Sequence, residues 1–313
     1  MKKILLTMIL MISLLLSACS ADPQQAASGN AYSFTDDLGR SVTVTAPQRT
    51  AALLGSFAQI WQLAGGQVCA TANDAWDDLQ LELPEETTDL GGKESLSLEL
   101  LLAAEPDFVL ASTNTPLHRE WQDTLEKAGI PVAFFDVSDF DDYLRLLQIC
   151  TGITGRADLY EQHGTAVQAQ IDRVVAESQN RVAEKGAPKV LSLTAAASFV
   201  KAKNSEGNVL GTMLKQLGCS NIADSETMLL EDLSVEQILL SDPDYIFIVQ
   251  RGDNETGMRE YVSEHLLSHP AWSQLTAVKN GKVFFMEKAL YSLKPNHRWG
   301  EAYEKLEEIL ANE

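Results

Sequence analysis

The residues best equipped for chemistry gather late in the chain. Between Lys279 and Arg298 five bases (Lys279, Lys282, Lys288, Lys294 and Arg298) face one acid, Glu287, a local charge of +4 where the whole chain carries −20. Such an inversion is what an anion site needs. Lys279 and Lys282 are expected to solvate a turn, whereas Arg251, Lys294 and Arg298 offer donors suited to carboxylate or catecholate oxygens. Phe57, Trp76, Phe199 and Tyr291 can stack on a flat or bulky organic surface. Trp61 and Trp299 read instead as core. His265 and His269 stand at i, i+4 before Pro270 without a third ligand nearby, so no protein metal site is expected. Neither GxSxG, GxGxxG nor HExxH occurs, and Gly91-Gly92-Lys93 lacks the earlier glycine of a phosphate-binding loop. No catalytic residues and no cofactor are expected.

For those side chains to converge, regular elements must carry them. The segment Ser97–Val109 recurs without a gap as Ser234–Ile246, with Ser, Glu, Leu, Pro and Asp matching. Each copy reads as a serine-capped short helix, a Pro-Asp turn, and a strand at Phe108–Ala111 or Tyr245–Val249. Further strands are expected at Ala51–Leu54, Val132–Phe135, Val190–Leu193 and Val283–Met286, alternating with helices. That alternation predicts an α/β fold of two Rossmann-like lobes with parallel sheets, residues 32–156 and 187–313. Residues 157–186 carry a helical period without proline, giving one long bridging helix of roughly 40 Å. Ligands of open parallel sheets bind beyond the carboxyl ends of the strands. That rule selects Ser56, Phe57, Asn73, Asp74, Trp76, Thr113 and Asn114 on the first lobe. On the second it selects Ser198, Phe199, Lys201, Gln250, Arg251, Tyr291, Lys294, His297 and Arg298.

The amino terminus sets the compartment. Lys2 and Lys3 precede the apolar run Ile4–Leu16, and Leu16-Ser17-Ala18-Cys19 places small residues before a cysteine. This is a secretory signal of the lipoprotein type over residues 1–18, with Cys19 as the lipidated residue. Residues 19–31 form a polar tether spanning roughly 20 Å. The acidic balance excludes nucleic acid as a partner, and the membrane is expected to be met only through the lipid. Cys69, Cys150 and Cys219 read as small buried hydrophobes, although a Cys69–Cys150 disulfide is compatible with the compartment.

Together these features resemble the class of ABC-importer binding proteins for ferric siderophores, haem and cobalamin, known as class III. Two motifs add to the resemblance: Asp36-x-x-Gly39-Arg40-x-Val42 near the start of the mature domain, and Ala277-Val278-x-x-Gly281-x-Val283 near its end. The resemblance implies a monomer that captures a small molecule between two lobes and hands it to a permease dimer. It also implies docking to the two permease subunits through Glu99 and Glu236, which match its Ser-x-Glu segment on each lobe. The basic residues favour a ferric siderophore or haem over cobalamin, with the metal carried inside the ligand. Competing readings are an enzyme or a lipid-anchored sensor on the same fold, or a binder of free zinc or manganese.

Overall fold

The computed structural model describes residues 31–231 and 233–312. The signal sequence, Cys19 and the tether up to residue 30 lie outside them. The chain opens with the hairpin β1 (Ala31–Thr35) and β2 (Ser41–Thr45), antiparallel and in register. Its turn explains the Asp-x-x-Gly-Arg motif. The buried Asp36 carboxylate accepts from the Leu38, Arg40 and Phe134 backbone N–H groups and from the Arg40 guanidinium. Gly39 supplies the left-handed φ of +75° that closes the loop.

The first lobe is a five-stranded parallel sheet. Its strands are β3 (Thr50–Ala52), β4 (Val68–Thr71), β5 (Thr88–Asp89), β6 (Phe108–Ser112) and β7 (Val132–Phe135), in the order β5-β4-β3-β6-β7. Strands β6 and β7 are buried at every position, as parallel strands covered on both faces must be. The second lobe contains β8 (Lys189–Ala196), β9 (Phe199–Lys203), β10 (Ser220–Asn221), β11 (Tyr245–Gln250) and β12 (Val283–Met286). Its parallel order is β10-β8-β11-β12, with β9 folded back antiparallel on β8. This hairpin is the main departure of the second lobe from the first. The two Ser-x-Glu helices, Leu98–Ala103 and Val235–Ser241, are capped by Ser97 and Ser234, whose hydroxyls accept from the backbone N–H groups of Leu100 and Gln237.

Between the lobes, residues 157–185 are helical throughout, with a π turn at Glu161–Thr165 before the run Ala166–Lys185. The carboxy-terminal helix Trp299–Ala311 lies along that run. Arg181 grips Glu307 with two hydrogen bonds of 2.8 and 3.0 Å, and Arg173 meets Glu304 at 2.6 Å. One apolar core runs unbroken from the first lobe (Trp61, Phe135) through the bridging helix (Ile171, Val174) into the second (Phe247, Trp299, Leu306). Two smaller cores cover the outer faces of the sheets. Cys69, Cys150 and Cys219 are free thiols, and burial pushes that of Cys219 up to about 12.

Candidate functional site

In each sheet two adjacent strands send their following connections in opposite directions, β3 and β6 in one lobe, β8 and β11 in the other. Crevices form at such switch points. The two open onto a shared cleft of about 700 Å³. From the first lobe Ser56, Asp74 and Asn114 line it, together with Lys93 from the connection after β5. From the second come Lys203 at the end of β9, Asn208 just after it, Arg251 after β11, and Tyr291 and Lys294 after β12.

Ser56 sits at the first turn of helix Gly55–Leu63. That helix has no side-chain cap of its own, and Asp74 Oδ1 takes the Gly55 N–H at 2.8 Å instead. The approach is close: a Cβ on Gly55 would lie 2.5 Å from the Ala75 nitrogen. Burial raises the Asp74 carboxyl, while the Gly55 N–H and the nearby Lys93 and Lys294 oppose the shift. Asn114 donates to Asp136 Oδ1 at 2.7 Å, which also accepts from Ser138 Oγ.

Four cations on the cleft wall, Lys93, Lys203, Arg251 and Lys294, make no ion pair among the described residues. Lys294 is the most enclosed. Burial lowers its pKa, Asp136 and Asp74 partly restore it, and Lys93 pushes it down again. Its ammonium stands 5.8 Å over the Phe57 ring. A fifth cation is fully engaged. Lys288 Nζ lies 2.6 Å from Asp78 of the first lobe and 2.6 Å from Asp253 of the second. Side-chain exposures of 17% for Lys288 and 14% for Asp78 place the first contact of this strap largely out of solvent, whereas Asp253, at 84%, is exposed. Beneath the cleft the buried Asn296, at φ 54°, donates to the Ser56 carbonyl at 3.0 Å and to Gln59 Oε1 at 2.7 Å, tying the second lobe to the first lobe's helix.

Of the nine side chains expected to hold ligand, Ser56, Asn114, Arg251, Tyr291 and Lys294 line the cleft; Phe57, Trp76, Phe199 and Arg298 do not. Phe57 follows Ser56 on the helix and points into the core, with no exposed surface. In the turn Asp74–Asp77 the helical period sends Asp74, Asp77 and Asp78 to the cleft and Trp76 away from it. Phe199 opens β9, opposite Ala196, because β8 runs past the expected Leu193 and turns back as a hairpin. Arg298 is consumed by Glu301, at 2.7 and 2.9 Å, and by Glu287 at 3.3 Å. Tyr291 reaches the cleft but is only 4% exposed, and its hydroxyl donates to the Ala302 carbonyl at 3.0 Å. The aromatic platform expected from composition is therefore absent from the lining: Tyr291 is its one aromatic residue.

Sequence reasoning missed Lys93, Lys203, Lys288, Asp78 and Asp253. β5 is only two residues long, too short to register as a pattern whose end could nominate Lys93. Lys288 was visible only as one unit of the basic stretch before Arg298. Glu99 and Glu236 stand exposed on the first turn of their helices, and the Ser234 hydroxyl donates to the Glu236 carboxylate at 3.2 Å. Among the described residues no three His, Cys, Asp or Glu side chains group as metal ligands, and no helix is long and apolar enough to cross a membrane.

Residues 51–290 match the family described as periplasmic binding protein. A putative ABC transporter substrate-binding lipoprotein, YhfQ, of Bacillus subtilis is 24% identical over 316 residues, covering 94% of this chain and 93% of the relative. The Fe(3+)-citrate-binding protein YfmC of the same organism is 24% identical over 289 residues, covering 90% and 87%. Among solved structures, Staphylococcus aureus SirA complexed with staphyloferrin B superposes with a TM-score of 0.69 at 18% identity, covering 90% of this chain and 98% of SirA. That likeness shows the fold, two α/β lobes with parallel central sheets.

Proposed function

The chain belongs to the periplasmic binding protein family, and from that premise we propose that it is the extracytoplasmic binding protein of an ABC importer for a hydrophilic, anionic ferric chelate. The observation that carries the reading is the set of four unpaired cations, Lys93, Lys203, Arg251 and Lys294, drawn from both lobes around one cleft. Six carboxylates share that lining, but Asp78 and Asp253 are spent on Lys288, and Asp74 and Asp136 only partly offset the desolvation of Lys294, which Lys93 opposes as a like charge. A polyanion entering the cleft relieves both penalties.

The choice among iron-bearing ligands follows from what the wall lacks. Haem and cobalamin present broad flat or apolar faces suited to aromatic stacking. Here leucines and valines such as Leu54, Val137, Leu210 and Leu293 are interleaved with carboxylates, ammonium groups, hydroxyls and amides, and the one aromatic residue, Tyr291, is nearly covered. An oxygen-rich chelate whose surface is itself carboxylate or catecholate fits that chemistry. The Fe(3+)-citrate-binding relative YfmC agrees with this choice, although haem-binding proteins share the fold equally closely.

Within this reading the protein performs no bond-making step. It is held to the outer face of the membrane by lipid on Cys19, and it presents Glu99 and Glu236 to arginines of a permease dimer. Calorimetric titration against ferric citrate, a ferric catecholate, a neutral ferric hydroxamate, haem and cobalamin tests the ligand class. Saturable binding of an anionic ferric chelate, at roughly micromolar affinity or tighter, is the expected result. Binding of haem or cobalamin alone, or silence across the panel, would overturn it.

A further inference from the structure

We propose that the docking surface is not two lone carboxylates but two carboxylates each set in an apolar shoulder, and that it takes a permease presenting, twice, a cation bracketed by apolar side chains. The proposal rests on the importer reading and extends it. Among the described residues the large hydrophobic side chains left exposed are Leu100 (45%), Leu102 (36%), Met228 (78%) and Leu240 (82%). Scattered single cases would be ordinary on any protein surface. These are not scattered. Leu100 and Leu102 lie on the helix of Glu99, Leu240 on that of Glu236, and Met228 in the turn leading into the latter.

Helix geometry sharpens the juxtaposition. At 100° per residue Leu100 and Leu102 fall on either side of Glu99, while Leu101 turns inward and is fully buried. Leu240 follows Glu236 by four residues, so it sits one turn along on the same face, about 6 Å further down the axis. Both helices run into a parallel strand, β6 or β11. Their amino termini therefore lie at the carboxyl edges of the sheets, the rim from which the cleft opens. Both shoulders thus lie on the side of the sheets toward which the cleft opens.

The occupant follows from charge. A lipid surface would pull the leucines in, yet it would have to accept Glu99 and Glu236 from a chain of net charge −20. A protein partner with a base among apolar residues satisfies both halves at once. Excluding water around the pair strengthens it, as energetically quiet rims do around interface hot spots.

The test uses the full-length lipidated chain in its host cell, in place of the native copy. The combined variant L100S/L102S/M228S/L240S should titrate the ferric chelate like the parent yet lower its uptake at least tenfold, with methionine at 100 and 240 restoring uptake. Full uptake by the four-serine variant would overturn the proposal. Should that variant lose ligand binding, a benzoylphenylalanine photo-cross-linker at positions 100 and 240 decides instead. Adducts to a permease subunit from both positions, abolished by E99R/E236R, are expected. Adducts only to lipid, only to a second copy of this chain, or to nothing overturn it. If E99R/E236R itself transports normally, the importer-docking reading fails; if it stops transport while the serine variant does not, only the apolar shoulders fail.

Discussion

Lys294 and Lys288 show how differently two lysines six positions apart can be used. Lys294 is enclosed beside Asp74 and Asp136 without an ion pair, and burial lowers its pKa. A cation depressed in the folded state binds fewer protons there than in the unfolded chain. The ligand-free protein should accordingly gain stability as pH rises through the lowered value toward the ordinary lysine range. Affinity for an anionic chelate has the opposite sign, full below the lowered value and lost as Lys294 deprotonates. Lys294→Gln should weaken binding by about 10- to 100-fold, the worth of one charge-assisted hydrogen bond, and flatten both alkaline dependences. Titration calorimetry and thermal melts across pH measure the two. Lys288, by contrast, is spent on Asp78 and Asp253. Lys288→Gln unfastens one edge of the cleft, and stopped-flow exchange should show the off-rate of the chelate rising several-fold. An unchanged off-rate would mean that the strap does not gate the ligand.

At the scale of elements, the helix Gly55–Leu63 and the turn Asp74–Asp77 form one unit. Asp74 caps a helix that lacks a cap of its own, and only a residue without Cβ lets the two backbones approach. Gly55→Ala should cost about 1–3 kcal/mol in a denaturant melt, the usual penalty of overpacking. It should also weaken ligand binding, since Ser56 and Asp74 move with the unit. Loss of stability with intact affinity would place the ligand elsewhere in the cleft. The duplicated Ser-x-Glu helices make a companion point. Their caps and strands repeat faithfully, but Ala103 in one copy faces Leu240 in the other, so duplication preserved the scaffold and let the exposed face diverge.

The whole molecule behaves as two lobes on one core. Because that core passes through the bridging helix into both sheets, heat should unfold the protein in a single cooperative transition. Asn296→Ala removes both hydrogen bonds from the second lobe to the first lobe's helix, and should lower that transition by about 1–3 kcal/mol without splitting it. A biphasic calorimetric trace would show that the lobes fold separately. Local information in the sequence was enough to announce the longer parallel strands, the serine caps, the Pro-Asp turns and the duplication, since apolar period and turn chemistry act over a few residues. The fold class follows from those elements, and the basic run ending at Arg298 pointed to the anionic ligand proposed above. Which members of that run serve the ligand was not. Arg298 turns to Glu301 and Glu287, Lys288 reaches Asp78 and Asp253, and Lys294 alone remains unpaired at the wall. Helix phase decided likewise between Ser56 and Phe57, and between Asp74 and Trp76. The sequence determined most of the elements, the short β5 and the β8–β9 hairpin excepted. Only the tertiary structure decided which side chains meet, because a contact such as Lys288 with Asp78 depends on packing that joins residues hundreds of positions apart.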